Sequence, residues 1–326
     1  MDRDPRNRLN NLTNSEWLHL TNSVWWNSDD PKSSSIFRVR DSNSALTLEA
    51  ATAGEIPTII NSHPPPPDKL KRQHPATFAE CDIRKLILFF SKRGDTILDP
   101  FLGAGSTMLA CFETKRNCIG IELFWRWVSL SKKRLVTGCA DSLKKCKVAK
   151  PNEVLVDLKD GLRYRILCGD SRMKMKILEK DSVDLVITSP PYWNILEKTG
   201  DYKVLHTRKN NGLPTNYGTS TRNLANISQY GEFLHQLQKI FLQCARVLRV
   251  GKYLCVVAAD FRHGDKFYPY HAHLINTLER CGLTLEGITI IVNNRKHLYP
   301  YGLPYAYVPN IHHSYVLIFK NKASLK

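Results

Sequence analysis

The sequence lacks several things, and each absence excludes something. No two of its nine cysteines are spaced CxxC, so neither a redox dithiol nor a zinc ribbon is written into it. No apolar run approaches the ~18–20 residues needed to cross a bilayer. The opening MDRDPRNRLNN has no apolar stretch that could act as a signal peptide. The expectation is a cytoplasmic, nucleoid-associated chain with reduced thiols and no membrane partner. Cys111, Cys118, Cys168 and Cys255 sit within apolar runs, as buried free thiols do. Acid is scarce relative to base: 30 Asp and Glu against 47 Lys and Arg, a net charge of +17. Such a field attracts polyanions. No basic amphipathic helix points to a membrane surface, which leaves nucleic acid as the partner.

What is present is an α/β pattern. Residues 1–67 read as a loop-rich N-terminal extension, with a short helix around Trp17 to Trp26 capped by Ser15 and polyproline near its end. From residue 68 to 326 the chain alternates. IRKLILFFSKR reads as a helix, TILDPF as a short buried strand, and GAGSTMLACFETKR as a glycine turn opening a helix. NCIGIEL, YRILCGD and SVDLVITSPPY are further strands, with a polar, Lys-rich stretch at 140–160 before YRILCGD. YGEFLHQLQKIFLQCARVL is a long helix, and KYLCVVAAD, LTLEGITIIV and HHSYVLIFK are the remaining strands. This predicts a doubly wound, mostly parallel α/β sheet closed by an antiparallel hairpin.

Ligands of open α/β sheets sit at the carboxyl ends of strands. The first strand end is Asp99-Pro-Phe-Leu-Gly-Ala-Gly, in which Gly103 and Gly105 allow close backbone approach ahead of a helix N-terminus. GxxxxGK[ST] is absent, which excludes a P-loop, and Met108 stands where a GxGxxG fingerprint needs its third glycine. Glu122 ends the next strand, 23 residues after Asp99, where an acid can grip the hydroxyls of a ribose. Asp170 ends the third; it can accept from an adenine amine or cap the following helix. The fourth ends in Ser189-Pro190-Pro191-Tyr192. Prolines cannot donate to a ladder, so this segment is a fixed loop.

These motifs together resemble the S-adenosylmethionine-dependent amino-methyltransferases of DNA, which have a class I, Rossmann-like fold. DPFLGAGST (Asp99, Phe101, Gly103, Gly105) is similar to their methionine-binding loop, IEL (Glu122) to their ribose-binding strand end, and CGDS (Asp170) to their adenine-contacting turn. TSPPY resembles their catalytic loop, with Ser189, Pro190, Pro191 and Tyr192 as its working residues. HPATF at 74–78 (His74, Pro75, Phe78) resembles the piece that closes over the cofactor's methionine end. The resemblance covers roughly residues 68–320 and implies double-stranded DNA with a flipped base as substrate. It also brings a restriction endonuclease into view as a partner. The cofactor motifs precede the catalytic loop, whereas many relatives with Ser-Pro-Pro-Tyr have the reverse order.

An exocyclic base amine is a poor nucleophile because its lone pair is delocalised into the ring. The Ser189 hydroxyl and Pro190 carbonyl could accept its N–H bonds and localise that pair, with Tyr192 stacked on the base. In the family, serine before Pro-Pro-Tyr is commoner in enzymes acting on cytosine N4, and Asp or Asn in those acting on adenine N6. Cytosine C5 chemistry needs an attacking thiolate, usually from a Pro-Cys pair, and no proline here precedes a cysteine. An RNA guanine-N2 methyltransferase shares the motif order but usually has Asp in the loop, and a non-catalytic binder would not need the set intact. Residues 194–230 are the first candidate for reading DNA and 293–310, basic and tyrosine-bearing, the second. His312-His313 reads as a strand edge rather than a metal site.

Overall fold

The computed structural model describes residues 7–13, 16–17, 20–21, 23–27, 80–150, 152–194, 210, 218, 220–293 and 305–322. After β1 (Val24–Asn27) come α1 (Glu80–Phe90), β2 (Thr96–Asp99), α2 (Ser106–Thr114), β3 (Asn117–Glu122) and α3 (Trp125–Gly138). A hairpin of β4 (Leu143–Lys150) and β5 (Glu153–Leu158) leads to β6 (Arg163–Cys168), the short α4 (Ser171–Lys174) and β7 (Val183–Thr188). Then follow α5 (Tyr230–Val247), β8 (Leu248–Ala258), β9 (Phe261–His263), β10 (Lys266–Tyr268), α6 (Tyr270–Glu279), β11 (Leu283–Asn293) and β12 (His313–Asn321).

Ten strands form one sheet in the order β1-β11-β12-β8-β7-β2-β3-β6-β5-β4. The run β6-β3-β2-β7-β8 is parallel. β12 runs antiparallel between β8 and β11, which is the closing hairpin expected from the sequence. The strand order reverses between β2 and β7, and a crevice opens at such a switch point. β7 is buried at all six residues, as a central parallel strand covered on both faces must be.

Alternate residues of the central strands feed two cores. Leu254, Val256 and Ala258 of β8 pack with Phe233, Leu237 and Phe241 of α5 and Leu274 of α6. Cys255 and Val257 face the other layer, with Ile83 and Leu86 of α1, Met108 of α2 and Val128 and Leu135 of α3. Each fully buried large apolar side chain contributes about 1.5–3 kcal/mol. The thiols of Cys111, Cys118, Cys168 and Cys255 are free and buried, as expected.

One sequence expectation is corrected, and the Lys-rich stretch gains a structure. The Lys-rich stretch within 140–160 is the β4–β5 hairpin, added antiparallel to the edge of β6. The N-terminal helix does not run to Trp26: residues 16, 17 and 20 are helical, but Val24–Asn27 is a strand that pairs parallel with β11. Nor does the described part of the N-terminal extension stand apart. Leu12 and Leu20 are buried, and the Trp17 and Phe89 rings lie 4.8 Å apart. Ser15 and the polyproline segment lie outside the described residues. No helix among the described residues is long and apolar enough to cross a membrane.

Candidate active site

The glycine turn after β2 is built from both sides. Gly103 (φ 53°) and Gly105 (φ 81°) adopt left-handed conformations that favour glycine. The Leu102 amide donates to the Ile121 carbonyl of β3 (2.9 Å). A Cβ on Gly120 would fall 2.6 Å from Leu102 Cδ2, so glycine there lets the turn fold back onto β3. From α3, Ser131 Oγ donates to the Gly103 carbonyl (2.7 Å) and the Arg134 guanidinium to the Ala104 carbonyl. Arg134 also pairs with Glu80 of α1 (2.7 Å), which accepts from Ser106 Oγ (2.8 Å). Sequence reasoning missed this brace. Its one signal is that a serine and an arginine share the apolar face of an amphipathic helix.

Asp99 proves to be a tie beneath the turn. It is fully buried and does not line the cavity. Its carboxylate accepts from Thr107 Oγ1 of α2 (2.6 Å), from the Phe101 amide (3.0 Å) and from Thr188 Oγ1 at the end of β7 (2.7 Å). One side chain therefore fixes both the glycine turn and the strand that carries Ser189. Gly105 also lies outside the lining; a Cβ there would sit 3.0 Å from Ser131 Cβ.

Phe101, Gly103, Glu122, Asp170, Ser189, Pro190, Pro191 and Tyr192 all line one cavity at the switch point. Glu122 accepts from the Gly103 amide through Oε2 and from the Phe124 amide through Oε1, each at 3.0 Å. Burial pushes its carboxyl up to about 7, and these amides only partly offset that. Phe124 and Trp127 add aromatic walls. Asp170 is the N-cap of α4: its carboxylate accepts from the Arg172 amide (2.9 Å) and pairs with the Arg172 side chain (2.5 Å). The capping role is thus occupied, and Arg172 is a partner that sequence reasoning did not name.

The Glu122 titration has a measurable consequence. An acid that titrates at 4.5 when free and about 7 when folded favours folding below 4.5 and loses that advantage as pH rises through 7. Glu122→Gln removes this titration. Relative to wild type, the variant's unfolding free energy should rise between those pH values by up to ~3 kcal/mol. Denaturation curves of both proteins across the range measure it, and a difference that does not change with pH would discount the shift.

The Ser-Pro-Pro-Tyr loop is pinned at its far end. The Pro191 carbonyl accepts from the Tyr270 hydroxyl (3.1 Å), and the Ala259 amide donates to the Tyr192 hydroxyl (3.0 Å). Burial raises the Tyr192 phenol to about 12. Its ring packs 5.7 Å from Tyr270, and the Trp193 indole N–H donates to the Ile227 carbonyl (2.7 Å). Among the described residues, nothing takes up the Ser189 hydroxyl or the Pro190 carbonyl.

The end of the first candidate recognition segment also reaches the cavity. Arg222, Asn223 and Leu224 line it. Asn223 accepts from the Ala225 amide (3.1 Å) and donates to the Gly218 carbonyl (3.0 Å). Most of residues 195–219, all of 294–304, and His74, Pro75 and Phe78 lie outside the described residues. In the second candidate segment, Tyr305 and Tyr307 are 94% and 89% exposed, so these two do not pack the sheet edge.

Five parallel strands, antiparallel β12 beside them and a glycine turn with an acid on the next strand end define the class I methyltransferase fold. Residues 3–133 match a family model described as DNA methylase. The chain is 39% identical over 77 residues to the type II methyltransferase M.SmaI of Serratia marcescens, covering 24% of this chain and 25% of that protein. It is 51% identical over 59 residues to the type II methyltransferase M.MjaI of Methanocaldococcus jannaschii, covering 16% of this chain and 20% of that one. The matches span a quarter or less of either relative's length. A solved structure from Thermus thermophilus, described as a putative DNA modification methylase complexed with S-adenosyl-L-methionine, is 23% identical with TM-score 0.32, over 48% of this chain and 55% of that chain. Over these segments the chain is similar to DNA methylases, the family model matching it from residue 3 to residue 133.

Proposed function

We propose that the protein methylates cytosine N4 at a specific site in duplex DNA, with the target base turned out of the helix into the cavity. The observation that carries this reading is the loop itself. Ser189 and Pro190 line the same cavity as Glu122 and Gly103, while Pro191, Tyr192 and Trp193 are held by Tyr270, Ala259 and Ile227.

The donor set fits S-adenosylmethionine. Glu122 presents a buried carboxylate to the ribose hydroxyls, Gly103 opens backbone space for the methionine end, and Asp170 and Phe124 flank the adenine side. When bound, the cofactor supplies a methyl group on a positively charged sulfur. The chain's own part is orientation. Ser189 and Pro190 accept the two N–H bonds of the amine, so that its lone pair points at the methyl carbon. The methylated amine would carry one proton too many, and Ser189 would pass it to water. Tyr192 offers a ring for the flipped base, and its position is set by Ala259 and Tyr270.

The type II names of M.SmaI and M.MjaI support a role in restriction–modification with a cognate endonuclease. Nucleoside mass spectrometry of DNA methylated by the protein tests the base. N4-methylcytosine is expected; N6-methyladenine would move the activity to adenine, and 5-methylcytosine would sink the mechanism. Glu122→Ala should weaken S-adenosylmethionine binding in calorimetry about 10²-fold, since it removes two charge-assisted hydrogen bonds.

A further inference from the structure

Beyond the cavity, the β4–β5 hairpin carries a run of exposed positive charge. Residues 143–150 carry Lys144, Lys145, Lys147 and Lys150 and no acid, and all four lysines are exposed. Among the described residues no ion pair holds any of them. The acids of β5 are already spent on β6: Asp157 pairs with Arg163 (2.8 Å) and Glu153 with Arg165 (2.6 Å). Lys145 lies across from Asp157 and Lys150 across from Glu153, each facing an acid with an arginine partner. The four charges of β4 are therefore left over.

The hairpin is also firmly placed. Its turn residue Asn152 (φ 71°) accepts through its carbonyl from the Cys168 amide (2.8 Å), at the last residue of β6. The next two residues are Gly169 and Asp170, and Asp170 lines the cavity. The tip of the lysine strand thus reaches the sheet edge on which the site opens. β4 stands five strands from β7, or roughly 24 Å at ~4.8 Å per strand. At 3.4 Å per base pair, that is about seven base pairs.

We propose that β4 is a phosphate-binding rail that grips the backbone of duplex DNA about seven base pairs to one side of the target base. The proposal rests on the DNA-methyltransferase reading. Lysines on an edge strand also discourage edge-to-edge pairing of sheets; that role involves no DNA and no distance from the target.

The test is the combined variant Lys144→Gln, Lys145→Gln, Lys147→Gln and Lys150→Gln, compared with wild type on two duplexes. One has about twelve base pairs on each side of the target, the other about four. On the long duplex, the slope of log affinity against log salt should fall by about three to four, near 0.9 for each of the four lost contacts. On the short duplex the two proteins should bind alike. S-adenosylmethionine affinity and thermal midpoint should match wild type. An unchanged slope on the long duplex, with wild-type binding still salt-dependent, would overturn the rail and leave the methyltransferase reading standing. Equal losses on both duplexes would overturn its placement. Loss of binding to phosphatidylserine vesicles with duplex binding intact would assign the lysines to a membrane and overturn it too. If wild type binds neither duplex, the methyltransferase reading falls first and the rail with it.

Discussion

Tyr192→Ala should lower turnover on duplex DNA by about 10³-fold. The ring provides stacking worth ~1–3 kcal/mol for an extruded base, and its loss also frees the loop that carries Ser189. A displacement of about 1 Å at a reacting centre can cost ~10²-fold by itself. The structure adds a second variant. The Tyr192 hydroxyl accepts from the Ala259 amide, so Tyr192→Phe keeps the ring and leaves a buried donor unpaired. That should cost about 1–3 kcal/mol of stability while most turnover survives. A substrate with the target base mismatched separates stacking from loop support, because extrusion is then cheaper. The Ala variant's deficit should shrink on it. Turnover of Tyr192→Ala within a few-fold of wild type on paired duplex would remove Tyr192 from the mechanism. Ser189→Ala should be milder, since the Pro190 carbonyl still accepts one N–H.

Asp99→Ala should be the most damaging single change to the fold and the site together. It strands the Thr107 hydroxyl, the Thr188 hydroxyl and the Phe101 amide in a place without solvent. Each orphaned buried donor costs about 1–3 kcal/mol, so a loss near 4 kcal/mol is expected after partial relaxation. Asp99→Asn is the control. Its amide oxygen can still accept from Phe101 and Thr188, and a hydroxyl at Thr107 can turn to accept from the new NH₂ group. Urea denaturation should therefore rank wild type first, then Asn, then Ala. Wild-type stability in the Ala variant would show that the tie carries no weight.

Much of the sheet core is legible in the sequence because parallel strands buried on both faces read as unbroken apolar runs. DLVIT and ILDP stand out for that reason, and the motifs sit where those runs stop. The β4–β5 hairpin is illegible for the opposite reason. β4 has only Leu143, Ser142 before it and Cys146 half-buried, and its other positions face water on both sides, so no alternation marks it. β1 is hidden by its tryptophans, which suit an amphipathic helix as well as an edge strand. At the site, Glu122 and the Ser-Pro-Pro-Tyr loop fall on the cavity that their strand-end positions implied. Asp99 does not, because an aspartate at a strand end looks the same in sequence whether it turns outward to a ligand or inward to three protein donors. Ser131 and Arg134 hold the glycine turn from a different element, about 30 residues along the chain, so spacing gives no sign of either.

β1 has a bearing on how the molecule assembles during synthesis. Val24 lies opposite Ile290, and the Ile290 amide donates to the Ser23 carbonyl (2.7 Å), so this strand meets its partner about 260 residues later. The segment leaves the ribosome before the parallel strands and must wait while they collect behind it. Closing so long a loop adds little free-energy cost, because that cost grows only with the logarithm of length. It does cost time, since pairings between distant parts of a chain form slowly. Until β11 arrives, that margin of the sheet stays open, and a nascent chain is exposed there to pairing with a neighbour.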